Sequence, residues 1–209
     1  MSANYSKSAF LYRQVRRGLQ AGRYMPGQRI DPATLAEEFR TSPTPALFAL
    51  YRLVGEGLVV DHARSGFYVP LLTEVAMRDL YDWMERLLLM ACDSAPRPGT
   101  RVLPELESAS TDDDVVKLTW KMFDAIAAST GQRSLHRAVK QANDQLAPIR
   151  RAKQSLLDDP LEELLLIARA WRARDMAALR RRLREYYGHR KTLVPQTVDL
   201  LNESSNRLH

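Results

Sequence analysis
A chain of 209 residues with a net charge of +6 and 45% apolar residues is long enough to bury one or two sizeable cores. Cys92 stands alone, which excludes an intramolecular disulfide and points to a reducing compartment. Apolar runs such as Leu87 to Cys92 are far too short to span a bilayer, and no hydrophobic signal segment opens the chain, so the expectation is a cytoplasmic protein without membrane contact.

The positive charge is unevenly spread. The first 70 residues carry nine Lys or Arg against five Asp or Glu, whereas the remainder carries 22 against 20. A basic excess of this kind fits a polyanionic partner as well as an ordinary solvated surface. Within that segment Asp31 precedes Pro32, a helix-start pair, and Leu35, Ala36 and Phe39 follow at helical spacing. Arg40 and Thr41 break the stripe, and Ser42 with Pro43 restarts it. Ala46, Ala49, Leu50, Leu53 and Val54 then form one apolar face that runs to Gly55 or Gly57. Leu58 to Val60 reads as a strand, Ala63 to Gly66 as a turn and Phe67 to Val69 as the returning strand. Two helices joined by a short turn and followed by a hairpin are the outline of a winged helix-turn-helix, whose second helix enters the major groove.

The later sequence is helical in pattern. Val75 to Ala91 carries Leu80, Trp83, Met84, Leu87 and Leu88 as an amphipathic stripe, and Asp93 to Pro104, with three prolines and a glycine, reads as a loop. Thr111 or one of Asp112 to Asp114 caps a helix bearing Val116, Leu118, Trp120, Phe123 and Ile126, which ends near Gly131. Helices are expected from Ser134 to Leu157, from Pro160 to about Arg174, and from Asp175 through Tyr187 with a break at Gly188. The fold class is thus mainly α, with a winged helix over residues 1–70 and an antiparallel all-α bundle over 71–209.

The residues Pro26-Gly27-Gln28-Arg29-Ile30, Leu35-Ala36-Glu37, Ser42-Pro43-Thr44-Pro45, Glu56-Gly57-Leu58-Val59 and Gly66-Phe67-Tyr68-Val69 together resemble the GntR family of bacterial transcription regulators. The resemblance implies a homodimer on a pseudo-palindromic operator in double-stranded DNA. Its reading helix usually carries arginines where this chain has Pro43 and Leu47. The expected DNA-contacting set is therefore Arg40, Thr41, Ser42, Thr44, Leu47, Arg52, His62, Arg64 and Gly66, with Arg13, Arg16 and Arg17 adding phosphate contacts. Leu47, Phe48 and Tyr51 on the outer face leave a second function open, that of a protein-interaction module that has lost base-specific binding.

Phe123-Asp124-Ala125-Ile126-Ala127, Ser129-Thr130-Gly131-Gln132 and Ile167-Ala168 resemble the FCD type of effector-binding domain. Such domains typically hold a metal on an Asp and three His. The corresponding positions here are Trp120, Asp124, Leu164 and Tyr186, which cannot supply three or four converging donors, so neither metal nor other cofactor is expected. What the resemblance implies instead is a cavity for a small apolar or amphipathic effector, lined by Trp83, Leu87, Trp120, Asp124, Asn143, Arg150, Leu164 and Tyr186. The competing reading is a closed core that only dimerises. Catalysis is not expected: Cys92 has no histidine nearby in sequence, and no nucleophile triad or phosphate loop is visible.

Overall fold
The computed structural model describes residues 2–63, 65–94 and 114–206. A long first helix, α1 (Ser2–Gln20), is followed by β1 (Arg29–Ile30), α2 (Pro32–Glu38) and α3 (Pro43–Gly55), and then by the hairpin strands β2 (Val60–His62) and β3 (Gly66–Tyr68). The remaining elements are all helical: α4 (Glu74–Asp93), α5 (Val115–Ser129), α6 (Arg133–Ala152), a 3-10 turn (Gln154–Leu156), α7 (Pro160–Arg172), α8 (Met176–Thr192) and α9 (Val194–Asn206).

The helix starts follow the local chemistry. Asp31 caps α2 by accepting from the amides of Ala33 (2.8 Å) and Thr34 (3.1 Å), and these bonds hold its carboxyl below the usual carboxylate range. Ser42 occupies the cap position of α3, yet its hydroxyl makes no cap bond. Pro45 stands at the third helical position and has no N–H to give, so one of the usual cap donors is missing. At the other end of α2, Arg40 takes the left-handed conformation (φ 49°), and Thr41 N donates to the Ala36 carbonyl at 2.8 Å. That geometry is usually left to glycine.

The sheet is antiparallel in the order β1-β3-β2, with Ile30 opposite Phe67 and Asp61 also opposite Phe67. The first hairpin strand lies two residues later than Leu58 to Val60 suggest. Leu58 and Val59 are buried in the core beneath α3, and pairing begins only at Val60. Strand β1 has no periodicity of its own and exists because β3 offers it a partner. In the bundle, α8 runs through Gly188 to Thr192 without a break, and a further helix, α9, follows it. The loop expected from Asp93 to Pro104 lies mostly outside the described residues, as does Arg64.

Among the described residues the buried apolar side chains form two cores. One joins Leu11, Val15 and Leu19 of α1 to Leu35, Leu50, Leu53, Leu58 and Phe67 of the winged helix. The other joins Met84 and Leu88 of α4 to Phe123, Leu146, Leu164, Leu183 and Tyr187. Asp144 of α6 ties them together: it is 3% exposed and accepts from Arg16 Nε (2.8 Å), Gln20 Nε2 (2.7 Å) and Trp120 Nε1 (2.8 Å). Burial pushes its carboxyl above the usual range, and Arg16 and the other donors oppose that shift. Gln141 and Gln145 add bonds from α6 to the Glu56 carbonyl at 3.2 and 3.0 Å.

Candidate nucleic-acid interface and bundle interior
The outward face of α3 carries Thr44, Phe48 and Tyr51, the last two being 61% and 53% exposed. Ser42 and Pro43 are exposed at its N-terminus. Pro43 and Pro45 remove two of the amides that a helix start would otherwise offer a phosphate. Tyr51 packs edge-on against Phe67 with ring centroids 5.2 Å apart, which braces the reading helix against the hairpin. On the hairpin, His62 is exposed and packs on Tyr68 at 5.4 Å, while Gly66 (φ 93°) sits opposite it in register.

Of the expected DNA contacts, Arg40, Ser42, Thr44, His62 and Gly66 lie around this face, and three others do not. Leu47 is half-buried against the N-terminal core, because its side of α3 turns toward that core. Arg52 points along the other flank: its guanidinium stacks 3.8 Å over the Tyr12 ring and meets Glu56 at 3.5 Å. Thr41 turns its hydroxyl into the protein, where it is buried without a partner. Arg16 is likewise spent on Asp144 (2.6 Å), which leaves Arg13 and Arg17 exposed on α1. Sequence reading missed Arg29. Its side chain is 57% exposed, pairs with Asp31 at 3.5 Å and lies beneath Gly66, and its sequence signal is its place in the Pro26 to Ile30 stretch that carries the family resemblance.

The expected effector residues divide in the same way. Asn143, Arg150, Leu164, Tyr186 and Leu87 are all buried in the bundle. Trp120 is half-buried and gives its indole N–H to Asp144, so it serves the junction between the cores rather than the interior. Asp124 is half-buried and pairs with His136 at 2.8 Å. Trp83 is 49% exposed and lies outside the bundle interior. With Pro26, Val69, Pro70, Leu80 and Pro148 it lines an open apolar pocket of about 360 Å³ between the winged helix and the bundle.

The metal positions of the resembled domain do not fit a metal. Leu164 has no donor atom, Tyr186 packs edge-on against Phe123, and among the described residues no three His, Cys, Asp or Glu side chains come together. Cys92 is buried, and that burial pushes its thiol up to about 11.

What gathers instead in the bundle interior is a set of basic side chains. Arg190 pairs with Glu163 at 2.5 Å and lies 3.6 Å over the Tyr186 ring. Arg150 donates to Asn143 Oδ1 at 2.7 Å, and Asn143 in turn donates to the Trp120 carbonyl at 2.8 Å. Lys153 is fully buried and donates to the Tyr81 hydroxyl at 2.8 Å. Burial, reinforced by Arg190 and Arg150, pushes its ammonium down to about 6. The Glu163 carboxyl is pushed up by burial, but hydrogen bonds from Arg190 and His189 outweigh that and hold it below the usual range.

Fold and exposed face together define a winged helix-turn-helix of the DNA-binding class joined to an all-α bundle. Residues 7–69 match the family model for bacterial regulatory proteins of the gntR family. The chain is 23% identical over 145 residues to the HTH-type transcriptional regulator YdhC of Bacillus subtilis, an alignment covering 64% of this chain and 65% of YdhC. It is 37% identical over 59 residues to the Nta operon transcriptional regulator of Aminobacter aminovorans, covering 28% of each. Among solved structures, E. coli McbR/YncC superposes with a TM-score of 0.67 at 18% identity, covering 91% of this chain and 97% of that one. A transcriptional regulator GntR from Rhodococcus sp. RHA1 gives 0.74 at 14% identity, covering 91% and 98%. These likenesses extend the shared fold through the bundle.

Proposed function
We propose that the protein is a cytoplasmic, homodimeric transcription regulator, in which residues 1–70 bind a pseudo-palindromic operator and residues 71–209 dimerise and sense a small-molecule effector. The observation that carries it is the exposed face of Thr44, Phe48 and Tyr51 on α3, flanked by Arg29, Arg40 and His62, in a domain that matches the gntR family model. The two relatives named as transcriptional regulators support the same reading. With Arg52 of α3 held by Tyr12 and Glu56, base reading falls to Thr44 and to apolar contacts of Phe48 and Tyr51 with thymine methyl groups, while the other arginines position the backbone. Dimerisation is supported by Val75, Trp83 and Met90, which are 70%, 49% and 52% exposed and share one face of α4. The buried Asn143, Arg150 and Tyr186 support an effector site.

Fluorescence anisotropy with DNA flanking the protein's own gene, over a series of KCl concentrations, tests the reading. Two or three basic contacts per protomer give a log–log salt slope of about −3.5 to −5.5 for the dimer, together with clear preference over scrambled DNA. Phe48→Ala and Tyr51→Ala should erase that preference and leave the slope in place. Weak binding that is indifferent to sequence, with a stable protein partner lost in the same two variants, would replace this reading with that of an interaction module.

A further inference from the structure
Both halves of the molecule wall the open pocket of about 360 Å³ between them: Pro26, Val69 and Pro70 on the winged-helix side, Leu80 of α4 and Pro148 and Ile149 of α6 on the other. One stripe of α4 faces it at helical spacing, made of Ala76, Asp79, Leu80 and Trp83. Asp79 is the single ionised side chain in that lining. Helix α4 carries four other acids, and each is held by a base: Glu74 by Arg78, Asp82 and Glu85 by Lys191, and Asp93 by Arg180. Asp79 alone enters neither an ion pair nor a hydrogen bond among the described residues. The neutral amide in the lining, Gln145, gives its nitrogen to the Glu56 carbonyl at 3.0 Å, which leaves its oxygen as an acceptor. Trp83, one turn beyond Asp79 on the same stripe, keeps 49% of its surface in water.

We infer that this pocket binds a protonated amine with an aromatic or hydrocarbon body, at a site apart from the bundle interior. It offers a carboxylate and an amide oxygen, and no cationic side chain lines it among the described residues, so an ammonium finds a charge partner there and an anion finds none. A neutral apolar guest would cover Asp79 without replacing its water. The face of the Trp83 ring attracts a cation held within about 6 Å of its centroid. Four residues apart on a helix, Asp79 and Trp83 have Cβ atoms about 5–6 Å from each other, near enough for one head group to touch both. The prolines and aliphatic side chains around them suit the apolar body, and the volume suits one ring with a short chain. Because its walls come from both domains, an occupant fixes how the winged helix sits on the bundle and so the spacing of the two reading heads, a consequence that rests on the regulator reading above.

Thermal unfolding and isothermal titration of the full chain with phenethylamine, 2-phenylethanol and phenylacetate, which share a ring and differ in head group, test the site in the absence of DNA. Phenethylamine should bind saturably and raise Tm by about 2–4 °C at about five times its Kd, while the alcohol and the acid bind about tenfold more weakly or not at all. Asp79→Asn should cost about tenfold in amine affinity and Trp83→Leu about threefold or more, whereas Glu74→Gln, outside the pocket, should cost nothing. Asp79 and Trp83 are exposed, so their replacement leaves the fold intact. No response to the amine, an equal response to the alcohol or the acid, or undiminished affinity in either pocket variant overturns the inference. So does a second copy of the chain seated in the pocket, seen in sedimentation as association weakened by Asp79→Asn while the amine has no effect. Operator affinity is measured separately with and without phenethylamine. Amine binding that leaves it unchanged removes the regulatory consequence and spares the site, whereas absent amine binding with intact operator binding sinks the site alone.

Discussion

Replacing Asp144 by alanine should separate the two halves of the molecule, and the structure sets the size of the effect. The carboxylate accepts three hydrogen bonds, from Arg16, Gln20 and Trp120, at 2.7–2.8 Å. Hydrogen bonds to a charged group contribute about 1.5–3 kcal/mol each, but they are not simply lost. The Arg16 side chain is 18% exposed and regains water once its partner has gone. The desolvation cost of Asp144, visible in its raised pKa, is also removed with the carboxylate. The expected net loss is therefore about 2–4 kcal/mol. Urea unfolding at pH 7, followed by far-UV circular dichroism and tryptophan fluorescence, measures it. Because Asp144 joins α1 to α5 and α6, the two probes should no longer coincide and the apparent m-value should fall as the winged helix unfolds before the bundle. A cycle with Arg16→Met should yield a coupling of about 1–3 kcal/mol. Additive single variants, or a loss under about 0.5 kcal/mol with coincident transitions, would refute the idea that this carboxylate links the domains.

Two further variants separate local strain from function. Arg40→Gly should stabilise the protein by about 0.5–1 kcal/mol, because Arg40 holds a left-handed conformation at the end of α2, while lowering the salt slope of DNA binding by about one per protomer; unchanged stability would show that the turn is unstrained. Lys153 makes stability depend on pH in a definite direction. Its folded pKa of about 6 lies well below that of the unfolded chain, so between those values the unfolded state binds more protons and stability rises with pH. Denaturation midpoints from pH 6.5 to 9 should climb in the native chain and flatten in Lys153→Met, and parallel profiles would refute the assignment.

The winged helix was legible because its signals are local. Asp31-Pro32 and Ser42-Pro43 mark two helix starts through backbone chemistry that needs no tertiary partner, and the apolar spacing from Leu35 to Leu53 marks the face that each helix buries. The same holds for Asp159-Pro160 at the start of α7 and for the inward orientation of Asn143 and Arg150, which interrupt an apolar stripe on α6. Hidden from that reading was everything decided by a partner distant in the chain. Strand β1 exists only through β3; Arg52 is drawn from the reading face by Tyr12; Arg16 is taken by a carboxylate 128 residues away; and Trp83 stays outside because α4 turns that side away from the bundle interior.

Lys153 is the clearest case. In sequence it lies within a helix expected to run from Ser134 to Leu157, beside Arg150 and Arg151, and nothing in its neighbours distinguishes it from a surface lysine; in the structure that helix ends at Ala152. Packing of α6 against α4 puts it fully out of water beside Tyr81, within the field of Arg150 and Arg190. Helix starts and apolar periodicity are written in residues a few positions apart, so the chain alone determined its class of fold. The charge state and partners of a buried group depend on which distant side chains close over it, and only the tertiary structure decided those.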